Sequence, residues 1–555
     1  MANKSKNQVL REVTEKYLST LDPNNPPNPT TIESGLLEAI ERQFDLENSV
    51  KQKGRAWPIP QTLHFSQIAG IINYLYPIRR IVCSGNNSVK GGDLLALYQK
   101  TGPDAGIYVT SEDEFRSICR PYNYQMTNRE FDEIMTALRE LAPRCTRCED
   151  PDLIPVNNGI FHYKTKTLMP FDPDYVFIAK SRVDYNPNAI NQPIYNPDDK
   201  TSWDVESWIA DLSDDPEIVN VIWEVLGAIL RPNVRWDKSA WFYSETGNNG
   251  KGTLCELMRN LVGEGSYASI PISNFSQGFM LEPLMRSNAI IVDENDVGGY
   301  IDRAANLKAV ITNDVIQINR KFKLPISYKF HGFMVQCLNE FPRVKDKSDS
   351  FYRRQLFIPF SKCFTGHERK YIKSDYLHRK EVLEYVMFRV LNMNYYVLST
   401  PQACKDILSE YKEFNDPVHA FWEEMSPQFA WDLVPFDFAY DLYKAWFKQN
   451  SPNGSIQGKI RFNKDLTNVV QSTGSDWTID TGKRAIRPQG RMDWPEPLSL
   501  AYELKNWLNP SYTGADQEKK CLAPLKVSYR GLERTVPVGP PTGWNSGIKI
   551  NTSAG

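Results

Sequence analysis

The 555-residue chain is poor in the features that mark secreted, membrane-spanning or strongly basic proteins. Its nine cysteines are scattered, which suits a reducing compartment and not a disulfide-stapled scaffold. No apolar run approaches the length of a membrane span, and the opening Met1–Val9 stretch lacks the apolar centre of a signal peptide. A cytoplasmic protein with no membrane partner is expected. Lys and Arg (65) nearly balance Asp and Glu (67), for a net charge of −2. Any nucleic-acid contact must therefore concentrate its cations locally. One cysteine pair, Cys145-Thr-Arg-Cys148, has metal-ligand spacing. Neither Cys119 nor His162 completes a zinc pattern, so the pair reads as reduced thiols near a turn. A hydrophobic content of 41% is a globular value, and the length implies three or four domains.

What is present centres on Trp241-Phe-Tyr-Ser-Glu-Thr-Gly-Asn-Asn-Gly-Lys-Gly-Thr253. An aromatic strand-like run enters a Gly/Asn turn, then a lysine, then an apolar helical run. Gly247, Asn248, Asn249 and Gly250 can turn successive N–H groups inward, and the following helix start adds partial positive charge. Lys251 then reaches terminal phosphates. The pattern departs from the usual P-loop twice: Glu245 stands where a first glycine is expected, and Gly252 precedes the hydroxyl residue Thr253. Alone, the stretch fits a chance turn equally well.

Three downstream segments change that balance. Arg286–Asn295 reads as a buried strand ending in Asp293-Glu294, which in an ATPase would hold magnesium and polarise the attacking water. Phe330–Asn339 is another apolar strand ending in an amide, Asn339, suited to orienting that water. Arg353-Arg354 precedes the strand-like Gln355–Phe360 and fits either a solvated turn or an arginine finger supplied to a neighbouring subunit, with Arg354 preferred by its distance from Phe360.

Together these pieces resemble the superfamily 3 helicases, in particular the primase-helicase branch of satellite phages, poxviruses, plasmids and phage-inducible chromosomal islands. The resemblance covers roughly residues 155–450, and the Asn-Gly-Lys-Gly-Thr spelling of the loop is similar to that branch. It implies an α/β AAA+ ATPase core with a P-loop and a central parallel sheet, flanked by an α+β N-terminal region, a helical collar and a C-terminal winged helix. It implies ATP and Mg2+ as cofactors, with residues 247–253 on the nucleotide and Thr253 and Asp293 on the metal. The segment Val315–Lys329 reads as two short strands around a basic turn, and in the family such a hairpin grips single-stranded DNA in a hexamer pore. Arg320, Lys321, Phe322 and Lys323 are then its DNA contacts.

The expected organisation is a flexible segment 1–35, an accessory α+β domain 36–150, a collar and oligomerisation domain 151–230, the ATPase 231–375, a helical and winged-helix domain 376–530, and a flexible tail 531–555. Thr127–Leu141 is a capped helix, Val156–Phe171 a hairpin, and Ser202–Leu230 helical. The aromatic-rich Pro417–Phe447 reads as core. Ile456–Val470 reads as a turn and helix, and Trp477–Arg491 as a basic hairpin turning at Asp480–Lys483. That resembles the branch's winged helix, with Lys483, Arg484 and Arg487 facing duplex origin DNA. Asp150-Pro-Asp152 and Asp172-Pro-Asp174 are proline turns, so a priming activity is expected to be absent or supplied by a separate primase. The implied function is an ATP-driven ring helicase that initiates replication of a mobile element in a bacterial host. Two other readings fit the residues: an ATPase that remodels protein or DNA–protein complexes without unwinding, and an origin-binding protein with a decayed ATPase.

Overall fold

The structure, a computed structural model, describes residues 4–51, 55–83, 92–295, 300–301, 304–321, 323–344, 346–450, 456–472, 476–479 and 485–540. It divides into two compact units, Met1–Leu408 and Ser409–Gly555.

The centre of the first unit is a five-stranded sheet. Its strands are β1 (Ser239–Tyr243), β2 (Tyr267–Ala268), β3 (Ala289–Val292), β6 (Phe333–Leu338) and β7 (Gln355–Pro359), in the spatial order β2-β3-β6-β1-β7. Every pairing is parallel. All residues of β1, β3 and β6 are buried, as strands covered on both faces require. Register aligns their ends: Tyr243 faces Leu338 and Pro359, and Val292 faces Gln336. The segments that follow β1, β3 and β6 therefore leave from one edge. Helix α1 (Lys251–Val262) returns from that edge with Leu254, Cys255, Leu257, Met258 and Leu261 buried. A hairpin of β4 (Val315–Arg320) and β5 (Lys323–Lys329) separates β3 from β6, with an irregularity between Ile318 and Arg320.

The sheet's core does not stop at residue 231. One apolar cluster joins Ile154, Ile222 and Leu226 to Leu254, Met258 and Val335, and on to Val386, Met387 and Val390. Helix Pro216–Ala228 buries Ile218, Val221, Ile222, Trp223, Val225 and Leu226, too wide a face for one flank to cover. Residues 151–230 and the helix Lys380–Asn392 thus share the core of the five-stranded sheet instead of forming layers of their own. Within 202–230, Ser202 and Trp203 lie in a hairpin strand paired with Ile194–Asn196, and the helix starts only at Val205, where Asp204 accepts from the Ser207 N–H at 2.9 Å.

The accessory region is a four-stranded sheet ordered Tyr108–Val109, Leu94–Tyr98, Ile78–Val82, Arg144–Thr146, packed by helices. Thr127 and Glu130 form the expected capping box of the helix Asn128–Leu141. Residues 1–35, expected to be flexible, instead carry the helix Lys6–Leu18 and the start of Pro29–Ser49. Val9, Leu18, Ile32 and Leu36 are buried against Ile68, Ile72 and Leu75. Pro23, Pro26 and Pro27 lie in the connection and Pro29 in the first turn of the second helix, where a missing N–H costs nothing.

The second unit orders helix Pro417–Met425, strand Leu433–Pro435, helices Phe436–Asn450 and Lys459–Ser472, then strands Trp477–Ile479 and Gly531–Arg534. The sheet is antiparallel with Gly531–Arg534 in the middle. Phe421, Trp422, Trp431, Phe438, Tyr443 and Trp477 are its core. Two expectations are corrected here. Trp477–Ile479 pairs with Gly531–Arg534, and among the described residues of the stretch up to Arg491 only Ile486 is bridged, to Tyr529. Pro488 lacks the N–H that a continuing ladder needs. The presumed tail begins instead as the central strand, with Leu532 fully buried.

Candidate nucleotide-binding site

The loop 244–250 leaves β1 at the sheet edge. Ser244 N–H donates to Leu338 O at 3.2 Å, tying the loop's start to β6. Asn248 adopts a left-handed φ of 54° and Gly250 one of 85°. The two inversions turn the chain from strand into α1, whose N-cap is Gly250. The back of the loop is held by a strap: Phe364 N–H donates to Asn248 O at 2.8 Å, and the Asn248 amide reaches Thr365 Oγ1 at 3.2 Å and Glu368 Oε1 at 3.3 Å. Asn249 is buried and donates to Thr246 O. Glu245 is exposed and accepts from the Tyr243 hydroxyl at 3.2 Å, outside the turn itself.

Lys251 opens α1 and is only 6% exposed, yet its Nζ is buried without a hydrogen-bond partner. Burial depresses its pKa, against the opposing pull of Cys337, Asp293 and Cys255. A desolvated ammonium left unsatisfied beside a helix N-terminus is the arrangement a phosphate group would complete.

Gly252 explains itself here. A Cβ on it would stand 2.9 Å from Asp293 Oδ1 and 3.2 Å from Oδ2. The missing side chain lets the carboxylate at the end of β3 come against the first turn of α1. Asp293 is also 3.9 Å from Arg259, and its side chain is 30% exposed. Thr253 is half-buried, and Glu294 and Asn339 are exposed at the same edge. The residues fit a magnesium nucleotide: an orphan cation for phosphate, and a carboxylate and hydroxyl flanking the helix start for the metal.

The paired arginines differ. Arg354 is half-buried, and its guanidinium donates to the Ser350 carbonyl and, at 3.3 Å, to Ser350 Oγ. Arg353 is exposed. In the hairpin, Arg320 closes the turn by donating to Leu324 O at 3.1 and 2.9 Å. Lys321 is at the tip, and Lys323 pairs with Glu112 of the accessory region at 2.7 Å. Lys329 pairs with Glu149 at 2.9 Å, and Arg147 donates to the Tyr328 hydroxyl at 2.9 Å. In the second unit Arg487 is exposed. Phe322, Lys483 and Arg484 lie outside the described residues.

Three segments of the chain match family models. Residues 103–214 match the "D5 N terminal like" family and residues 413–492 the "Poxvirus D5 protein-like" family. The chain resembles the D5-like branch of the superfamily 3 helicases. Residues 242–354, spanning the loop, Asp293, Asn339 and both arginines, match a family of unknown function, DUF5906. No curated protein matches the chain. Among solved structures, the A form apo structure of the NrS-1 C-terminal region is similar at 14% identity over 71% of this chain and 87% of that one, with a TM-score of 0.36. The apo structure of its residues 305–718 is similar at 13% identity over 76% and 98%, with a TM-score of 0.40.

Reading the sequence did not find several contributors. Asn295 follows the carboxylates and accepts from Ile272 N–H at 2.9 Å while donating to Gln336 Oε1 and Cys337 O, both at 3.0 Å. It locks the end of β3 to β6. Its amide beside Asp293-Glu294 was the available signal. The strap residues Thr365 and Glu368 and the thiols Cys255 and Cys337 carry no local signal, because each meets the site only through the sheet's order.

Proposed function

We propose that the chain is an ATP-hydrolysing, ring-forming DNA helicase with an AAA+-type core, acting in replication of a mobile genetic element. The observation that carries the reading is the orphan, buried ammonium of Lys251 beside a carboxylate, Asp293, that Gly252 allows against the same helix start. The strand order supports it. Numbered along the chain, the all-parallel strands run 5-1-4-3-2, the order of AAA+ ATPases, with the loop after the first strand and the carboxylates after the third. The helix–strand–helix–helix–strand–strand order of the second unit, with its last strand central, supports the winged-helix reading.

In this reading the N–H groups of Gly247–Gly250 and Lys251 bind the phosphates, and Thr253 and Asp293 hold the magnesium. The magnesium, when bound, neutralises charge developing on the terminal phosphate. Glu294 takes a proton from the attacking water, and Asn339 orients that water. Arg353, the exposed member of its pair, is the better candidate for a finger acting on the neighbouring subunit. Movement at the sheet edge reaches the hairpin β4–β5 because it is spliced between β3 and β6, and Lys321 and Lys323 then carry single-stranded DNA.

The test is strand displacement on forked DNA with ATP, alongside phosphate release. Wild type is expected to unwind one polarity, and Lys251→Ala to lose both activities. Turnover without unwinding of either polarity would move the assignment to a remodelling ATPase. Duplex binding with no turnover would indicate an origin-binding protein.

A further inference from the structure

Beneath the loop lie two thiols that the nucleotide reading does not use. Cys255 stands one helical turn after Lys251 on α1, and Cys337 is the penultimate residue of β6. Their sulfurs are 3.3 Å apart and both side chains are buried. Asp293, at the end of the strand between them and the edge, completes a triangle: the two sulfurs and a carboxylate oxygen all lie within 4.8 Å of one another.

Two sulfurs and one carboxylate oxygen form a donor set for a thiophilic ion. Around tetrahedral zinc, with metal–sulfur bonds of about 2.3 Å, sulfur donors stand roughly 3.8 Å apart, so the pair needs to open by only a few tenths of an ångström. Three protein ligands leave a fourth tetrahedral position for a water molecule. Asp293 is the partly exposed member, so a cation arriving from solvent meets the carboxylate first.

We propose that Cys255, Cys337 and Asp293 bind a thiophilic divalent cation such as Zn2+, and that this ion excludes the magnesium nucleotide by occupying Asp293. On binding, two S–H bonds break and two metal–sulfur bonds form, the two protons pass to solvent, and Asp293 adds a metal–oxygen bond. No electrons are transferred. Three negative donors against a charge of +2 leave one net negative charge facing Lys251, whose ammonium has no hydrogen-bond partner.

Oxidation of the pair to a disulfide is the less favoured chemistry. It requires a thiolate. Both sulfurs are buried, out of an oxidant's direct reach, and the Asp293 carboxylate stands beside them as a third donor that a disulfide leaves unused. A dication supplies the positive charge that draws the protons off, and the carboxylate that opposes a bare thiolate attracts the dication. Binding stands apart from the proposed function, and only the exclusion of nucleotide rests on it.

The experiment is a Cd2+ titration of the full chain, read by the ultraviolet thiolate-to-cadmium charge-transfer band. Wild type, Cys255→Ala/Cys337→Ala, and Cys145→Ala/Cys148→Ala as a control are compared. The first double variant is expected to lose one tight ion and two thiolate equivalents, and the control to keep them. Asp293→Asn is expected to weaken that ion by at least ~10-fold. Zn2+ is expected to inhibit wild-type phosphate release, with recovery on adding a zinc-selective chelator, and to leave the first double variant's turnover unaffected. Equal cadmium binding and equal zinc inhibition in wild type and the first double variant overturns the proposal. So does inactivation by a thiol oxidant, reversed by dithiothreitol, in a protein that binds no cadmium at these residues. The single Cys255→Ser and Cys337→Ser variants, closest in shape, give the same readout should the double variant fail to fold. If wild type shows no turnover, the nucleotide reading fails while the cadmium band still decides the site.

Discussion

Gly252→Ala separates folding from turnover. Gly252 is the second residue of α1, where an alanine favours helix by up to about 1 kcal/mol over glycine. Its new Cβ would lie 2.9 Å from Asp293 Oδ1, 3.2 Å from Oδ2 and 3.4 Å from Cγ. The atoms it meets end a partly exposed side chain, so the fold can absorb the contact by swinging the carboxylate away. That retreat is on the order of 1 Å, and misplacement of this size in a catalytic constellation costs about 10²-fold in rate. As a barrier this is about 2.7 kcal/mol. The expected outcome is a kcat for phosphate release lowered about 10²-fold, with a melting temperature unchanged or slightly raised and ATP still bound through Lys251. The assays are steady-state phosphate release at saturating ATP, thermal unfolding, and binding of a fluorescent ATP analogue. Wild-type turnover in a folded Gly252→Ala protein would refute the reasoning, because Asp293 would then have no need of the space that glycine leaves.

Arg353→Ala is expected to keep ATP binding and lose about 10³-fold or more in turnover, and mixing it with Lys251→Ala subunits should restore part of the activity. If Arg353→Ala turns over normally while Arg354→Ala does not, the two residues exchange roles. Glu112→Gln frees Lys323 from an exposed ion pair worth about 0–1 kcal/mol, so single-stranded DNA affinity, read by fluorescence anisotropy at low salt, should rise by up to about 5-fold. Wild-type affinity in Lys323→Ala would remove Lys323 from the DNA contacts. Glu496 is buried in the second unit and accepts N–H bonds from Ala430, Trp431 and Leu498, yet burial pushes its pKa up to about 7. The folded state thus holds this proton more tightly than the unfolded chain. Its contribution is full below pH 4.5 and is lost as pH rises to about 7, a loss of about 3 kcal/mol. Denaturant unfolding of wild type and Glu496→Gln at pH 5 and pH 8 checks this, and an equal pH dependence in both sinks it.

Local chemistry in the sequence was enough to mark the loop, the carboxylate pair, the amide and the hairpin. The reason is that each is a short polar break in a buried strand or a basic turn between alternating residues, and such breaks are legible wherever they fall. The aromatic core of Pro417–Phe447 was legible for the same reason, since periodicity records a buried face. Long-range pairing was not. Whether Trp477–Ile479 pairs with the next ten residues or with a strand beyond residue 530 depends on contacts that no local pattern encodes, and a turn-like Asp480–Lys483 suggested the nearer partner. The N-terminal segment, expected to be flexible, likewise packs through apolar faces that find their neighbours only in three dimensions. The sequence by itself determined that a Gly/Asn turn ending in Lys251 and a strand ending in two carboxylates exist. The parallel register of β1, β3 and β6 decided that they meet, set Gly252 against Asp293, and brought Cys255 and Cys337 within 3.3 Å from 82 residues apart.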